Sequence, residues 1–166
     1  QKTAYEISLG LVGSEMCIRD RIGASTRVFR LRTITGLEIE KREFKIPFDG
    51  RAKILSKELE NIIKDILQVG ENVDIHLDEE KIVFSTKSES SEFEAQLVRG
   101  EPALLELEAQ APVDSRYNAT YIGKMMKSAK ISDYATLELK SKAPLKLSFN
   151  LLEGGQISYL LAPLTR

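Results

Sequence analysis

Lys124, Lys127 and Lys130 recur at a spacing of three, among Ile122, Met125, Met126 and Ala129, which mark an apolar helix face. On a wheel advancing about 100° per residue the lysines fan across the opposite side with no acid among them. An earlier stretch repeats the arrangement. Leu59, Ile62, Ile63, Ile66 and Leu67 share one face, and Lys57, Asn61, Lys64 and Gln68 form a narrow stripe opposite, with Glu58, Glu60 and Asp65 on its flanks. Flexible ammonium groups without bidentate arginines or interleaved aromatics suit sequence-independent contact with phosphates, held weakly and sensitive to salt. A single lysine-bearing helix face is ordinarily just solvated. Two of them in one chain, each offering cations cleared of acids, point to a polyanionic partner.

Catalytic chemistry finds little support. His76 is the only histidine, and it stands at opposite parity to Ile75 and Leu77, so an exposed strand histidine is expected. No serine or cysteine has a nucleophile motif around it. The single Cys17 has no partner for a disulfide or a metal site. Gly154-Gly155 precedes a strand, which makes it a hairpin turn and not a phosphate loop, since the latter needs a following helix. Acids are abundant but scattered, with no paired arrangement. Neither a metal nor a cofactor is expected, and the chain is not read as an enzyme.

The elements that must carry the lysines follow from periodicity. With 166 residues, 42% apolar and 30% charged, the chain has room for one domain with a real core. No apolar run approaches the roughly 20 residues that span a bilayer, and no signal-peptide layout is present, so an intracellular protein with no membrane partner is expected. The net charge of −1 excludes a uniformly basic nucleic-acid binder but not a local basic stripe. Gln1 to Arg21 carries no sustained period and resembles translated sequencing-adapter sequence. Residues 1–23 are therefore expected to be an artefactual or disordered amino terminus, with the native part starting partway through a longer chain.

From Ala24 the pattern becomes orderly. Val28, Phe29 and Leu31 among Arg27, Arg30 and Arg32 predict a strand, followed by a polar stretch with isolated Leu37, Ile39, Phe44 and Ile46, a linker with anchors. After the turn signal Phe48-Asp49-Gly50-Arg51, Ser56 is expected to cap a helix that closes near Val69-Gly70. Strands are predicted at 73–77, 82–85, 93–98 and 104–109, then a helix over 118–130, then strands at 136–140, 145–151 and 156–161. The starts at Ser56 and Asn118 lie 62 residues apart, so the chain reads as a tandem helix-plus-meander unit. Few helices and many antiparallel strands give an α+β fold with both helices on one face of the sheets.

Several segments in combination resemble one family: Leu55-Ser56-Lys57-Glu58-Leu59, Asp78-Glu79-Glu80-Lys81-Ile82-Val83-Phe84-Ser85, Tyr121-Ile122-Gly123-Lys124-Met125-Met126-Lys127, Ala143-Pro144-Leu145-Lys146-Leu147 and the closing Tyr159-Leu160-Leu161-Ala162-Pro163. Together they resemble the DNA sliding clamps of the proliferating cell nuclear antigen group, in its archaeal form, over roughly residues 24–166. The resemblance implies a DNA-clamp fold. Residues 24–34 would be the last strand of a truncated first clamp domain, 35–50 the interdomain connecting loop, and 51–166 the C-terminal clamp domain. It further implies a trimeric ring around duplex DNA that acts as a polymerase processivity factor in replication and repair. Lys64 and Lys127 match basic positions lining the central hole, with Lys57, Asn61, Gln68, Lys124 and Lys130 on the same faces.

Clamp partners, namely DNA polymerase, flap endonuclease, DNA ligase and the clamp loader, are implied to insert a short motif with paired aromatics into a pocket under the connecting loop. The matching positions are Leu37, Ile39, Phe44, Ile46, Pro144, Leu160, Ala162 and Pro163. Many relatives carry an aromatic residue where Leu160 stands. Phe93, Ala95 and Leu97 match the strand that pairs with the end of a neighbour's first domain, a strand matched here by Arg27, Phe29 and Leu31. Without most of the first domain, this chain is not expected to close a ring. The implied location is cytoplasmic and nucleoid-associated in an archaeon, or nuclear in a eukaryote. The rival reading is a checkpoint-type clamp subunit, or a protein-interaction domain that never touches DNA.

Overall fold

A computed structural model of the chain describes residues 15–22, 25–32, 47–151 and 154–165. The chain divides into two units between Phe44 and Lys45. In the first, β1 (Glu15–Ile22) and β2 (Ser25–Arg32) pair antiparallel from Glu15 opposite Arg32 to Ile22 opposite Ser25. β2 is the strand expected around Val28 to Leu31. β1 falls within residues read as patternless, because main-chain pairing does not require alternating side chains.

The second unit is α+β, with nine antiparallel strands in two sheets. Its elements are β3 (Gly50–Leu55), α1 (Ser56–Val69), β4 (Asn72–Leu77), β5 (Lys81–Lys87), β6 (Glu92–Val98) and β7 (Leu104–Ala109), followed by β8 (Val113–Asn118), α2 (Ala119–Met125), a 3₁₀ segment (Met126–Ile131), β9 (Tyr134–Leu139), β10 (Leu145–Asn150) and β11 (Gln156–Leu161). One sheet has the order β11-β10-β9-β3-β7, the other β6-β5-β4-β8.

The two halves exchange their first strands. β3, which precedes α1, pairs with β9 of the second half, and β8, which precedes α2, pairs with β4 of the first. The helix starts are tied alike: Ser56 N–H donates to Asp133 O at 2.9 Å and Ala119 N–H to Glu71 O at 2.8 Å. The tandem unit read from the sequence is thus an interlocked pair. Both helices lie against the same core, where Val73, Ile75 and Leu77 of β4, Ile82 and Phe84 of β5, Ala135, Leu137 and Leu139 of β9 and Leu145, Leu147 and Phe149 of β10 are buried.

Two strands escaped the periodicity. β3 reads Gly-Arg-Ala-Lys-Ile-Leu, and its inward positions include Gly50 and Ala52, too small to register as an apolar alternation. β8 buries Val113, Ser115 and Tyr117, with a serine at a core position. That serine is satisfied, since Ser115 Oγ donates to Lys140 O at 3.1 Å and accepts from Lys142 N–H at 2.9 Å.

The cap expected at Ser56 is not there. Leu55 occupies the N-cap position with no side-chain cap bond, and Ser56 is 2% exposed with its Oγ lacking a hydrogen-bond partner. Burial makes the cap dispensable. Leu59, Ile62, Ile63 and Ile66 are all buried, and at about 1.5–3 kcal/mol each as an upper bound they outweigh the roughly 1 kcal/mol of a missing cap. Gly70 ends the helix in extended backbone, its N–H bonded to Ile66 O at 2.8 Å. At the second helix the expected cap is present, with Asn118 Oδ1 accepting from Tyr121 N–H at 3.3 Å. The single helix expected over 118–130 is instead a short α-helix that tightens into the 3₁₀ segment.

Candidate nucleic-acid interface

α1 and α2 cross where Gly123 faces Leu67. A Cβ on Gly123 would stand 3.0 Å from Leu67 Cδ1, so any side chain there would make Leu67 give way by a few tenths of an ångström. Leu67, expected on the buried face, is 40% exposed. Beside this crossing lies a groove of about 360 Å³ whose lining includes Glu60, Lys64, Leu67, Lys124, Lys127 and Lys130. Four lysines, one from α1, one from α2 and two from the 3₁₀ segment, thus converge on one concavity. Lys127 and Lys130 share a side because residues three apart eclipse in a 3₁₀ turn. Lys57, Asn61 and Gln68 are exposed on α1 but do not line the groove.

The first helix is not cleared of acids. Lys64 Nζ lies 2.8 Å from Glu60 Oε1, one helical turn back. The hydrogen bond from Lys64, and the fields of Lys64 and Lys130, hold the Glu60 carboxyl below its ordinary range despite some desolvation. Gln68 Nε2 donates to Asp65 Oδ1 at 3.4 Å. The wheel put these acids on the flanks of the stripe, but side chains as long as glutamate and lysine bridge a turn. Lys124 Nζ sits 5.1 Å from the Tyr121 ring centroid. Lys124, Lys127 and Lys130 form no ion pair with another described residue.

The carboxyl-terminal strand positions the second candidate surface. Ile157, Tyr159 and Leu161 turn inward and half-buried, while Leu160 is 40% exposed on the opposite side, as its parity requires. Tyr159 packs edge-on against Phe149 with centroids 6.4 Å apart, and its hydroxyl is 2.7 Å from Ser128 Oγ, linking β11 to the lysine-bearing 3₁₀ segment. Beyond β11 the tail runs beside β8, where Leu164 N–H donates to Arg116 O at 2.8 Å. A cavity of about 400 Å³ there is lined by Asp114, Ser115, Arg116, Lys142, Pro163, Leu164 and Thr165. Ala162 is exposed, and Pro163 and Pro144 are half-buried. Pro144 does not line that cavity, but the preceding Ala143 is anchored by Tyr117, whose buried hydroxyl donates to Ala143 O at 2.9 Å. Leu37, Ile39, Phe44 and Ile46 lie outside the described residues.

β6 is an edge strand, and β11 is one edge of the other sheet. Leu97 is buried and Phe93 and Ala95 pack half-buried on the core, while Glu92, Glu94 and Gln96 are exposed on the other face and the strand's outer backbone edge pairs with no other described strand. Arg27, Phe29 and Leu31 belong to β2; their side chains lie outside what is described.

Sequence reasoning missed a charged ladder on the outer face of the β4–β8 seam. Arg116 grips Asp74 with Nε to Oδ1 at 2.9 Å and Nη2 to Oδ2 at 2.6 Å. Two residues along, His76 Nδ1 is 2.8 Å from Asp114 Oδ1, and its Nε2 is 3.4 Å from Asp78 Oδ2. The hydrogen bond to Asp114 is the main cause raising the His76 pKa, opposed by desolvation and assisted by Asp78. Cross-strand register is the signal that could have found these pairs, had β8 been recognised as a strand. Among the described residues no group of three or more His, Cys, Asp or Glu is placed to hold a metal ion. No helix there is long and apolar enough to cross a membrane.

Comparison with known proteins agrees with this geometry. Residues 43–164 match the family model described as proliferating cell nuclear antigen, C-terminal domain. The DNA polymerase sliding clamp 1 of Sulfolobus acidocaldarius is 31% identical over 142 residues, covering 85% of this chain and 58% of that one. The DNA polymerase sliding clamp of Pyrococcus horikoshii is 27% identical over 141 residues, covering 85% and 57% respectively. The chain therefore spans under two thirds of the length of these relatives. The crystal structure of the proliferating cell nuclear antigen of Thermococcus kodakaraensis shares the fold with a TM-score of 0.74 at 21% identity, covering 91% of this chain and 66% of that one. On the match across residues 43–164, the chain belongs to the proliferating cell nuclear antigen family and carries its C-terminal domain.

Proposed function

We propose that this chain is the C-terminal part of a sliding clamp, a non-enzymatic processivity factor that encircles duplex DNA and tethers replication and repair enzymes to it. The observation that carries this reading is the convergence of Lys64, Lys124, Lys127 and Lys130 on one groove between the paired helices. Lysines of this kind hold phosphates without reading bases, which lets a ring slide. Lys57, Asn61 and Gln68 extend the same DNA-facing surface along α1.

The tail residues Leu160, Ala162 and Pro163, with Pro144, form the docking surface for the short motif of DNA polymerase, flap endonuclease, ligase and clamp loader, a role that the family resemblance also implies for Leu37, Ile39, Phe44 and Ile46, which lie outside the described residues. An exposed aliphatic side chain beside an extended tail suits an aromatic anchor followed by strand-like pairing. The free edge of β6, around Phe93, Ala95 and Leu97, receives the strand of a neighbouring subunit that Arg27, Phe29 and Leu31 represent here. In this reading residues 24–34 end the first clamp domain and 35–50 connect it to the second. The protein acts on DNA in the archaeal cytoplasm.

Neutralising Lys64, Lys124 and Lys127 together tests the DNA face. Fluorescence anisotropy with a short duplex should show binding that weakens steeply with salt in the parent chain and is largely lost in the triple variant. Equal binding and equal salt dependence in both would sink the proposal.

A further inference from the structure

We propose that Glu60 is a built-in counter-charge that loosens the groove's grip on DNA, a role that rests on the DNA-facing reading above. Its carboxylate occupies the groove with Lys64, Lys124, Lys127 and Lys130, and its Oε1 is 2.8 Å from Lys64 Nζ. The Glu60 side chain is 29% exposed and that of Lys64 61%, so the acid is the more covered partner of the pair. To bind a phosphate, Lys64 must exchange one anion for another. Less counterion release is then gained from that contact than from a bare lysine.

Fold stability gives little reason for an acid here. Exposed ion pairs within a helix contribute little to folding, and α1 is already held by its four buried aliphatic residues. The second helix makes the contrast plain, since Lys124, Lys127 and Lys130 have no acid among them. In one half of the groove the lysines form no ion pair with another described residue, and in the other the lysine is held directly by an acid. A sliding protein benefits, because residence on any one set of phosphates is shortened without removing a lysine needed for the initial encounter.

The test is duplex anisotropy across a salt series for the parent chain, Glu60→Gln, Glu89→Gln and Glu60→Gln with Lys64→Met. Glu89 stands exposed in the β5–β6 turn, outside the groove, and its substitution makes the same change in net charge. Glu60→Gln is expected to bind several-fold tighter at low salt. With one added phosphate contact, its advantage should shrink about threefold between 50 and 200 mM salt. Glu89→Gln should gain far less, and adding Lys64→Met should remove most of the gain. Equal gains from Glu60→Gln and Glu89→Gln would reduce the effect to bulk charge and overturn the inference. No gain from Glu60→Gln, where the lysine triple variant does lose binding, overturns the inference but leaves the DNA face standing. No salt-sensitive binding by any protein overturns both. Should Glu60→Gln melt early, Glu60→Asp, which draws the carboxylate back by one methylene, should show a smaller gain of the same sign; no gain there overturns the inference too.

Discussion

The two halves of the second unit are built on one plan and finished differently. Each sends its first strand into the other's sheet, and each starts its helix with a backbone bond to the other half, Ser56 to Asp133 and Ala119 to Glu71. The finish diverges. The first helix is 14 residues long, lacks a cap, and pairs its groove lysine with an acid. The second is 7 residues long, capped by Asn118, and drawn into a 3₁₀ turn that aligns bare lysines. Backbone exchange and buried face set the architecture, while the outward face is free to set how firmly each half holds a polyanion.

If the halves are equal in the core, removing a buried aliphatic from either should do equal harm. Leu59→Ala and Ile122→Ala, at 0% and 1% exposure, should each cost about 2–5 kcal/mol in chemical denaturation. A large cost on one side alone would break the symmetry. On the surface the halves should differ. Neutralising Lys124, Lys127 and Lys130 should lower the slope of log affinity against log salt by about 2–3, whereas neutralising Lys64 alone should lower it by less than 1. The caps should differ again. Asn118→Ala should lose about 1 kcal/mol, while Ser56→Ala, which removes a buried hydroxyl lacking a partner, should be close to neutral or stabilising.

The smallest effect concerns one of the two exchanged seams. In the β4–β8 seam the raised His76 pKa, caused first by its bond to Asp114, means that the folded protein binds this proton more tightly than the unfolded chain does. The associated stability is fully present below the unfolded value of about 6.5 and fades as pH rises through the folded value. Asp114→Asn should flatten this part of the pH–stability curve. His76 is 39% exposed on its side chain, so the change is small. An unchanged curve would remove any role for the pair.

Much of this was readable in advance, because long amphipathic periods speak plainly. The face of Leu59, Ile62, Ile63 and Ile66 and the alternations at β4, β5, β9 and β10 placed both helices and most strands. What stayed hidden was non-local. β8 is a strand because the other half supplies its partner, β3 because distant strands of both halves, β7 and β9, flank it, and their own inward residues, Gly50, Ala52 and Ser115, are too small or too polar to announce it. Ser56 was a plausible cap by residue type, yet burial of the first turn decided otherwise. In the candidate site, the lysines were legible from spacing alone. Their convergence with Glu60 required the α1–α2 crossing at Gly123, a contact that no local pattern encodes.

The central claim is that duplex DNA meets this protein on the α1–α2 face. Amide chemical shifts, followed by NMR as a short blunt-ended duplex is added at low salt, test it most directly. The account predicts perturbations concentrated over Ser56–Val69 and Ala119–Ile131, reversed by added salt, with the outer sheet faces silent. Perturbations centred on the Asp74, His76 and Arg116 ladder, or none at all, would contradict it.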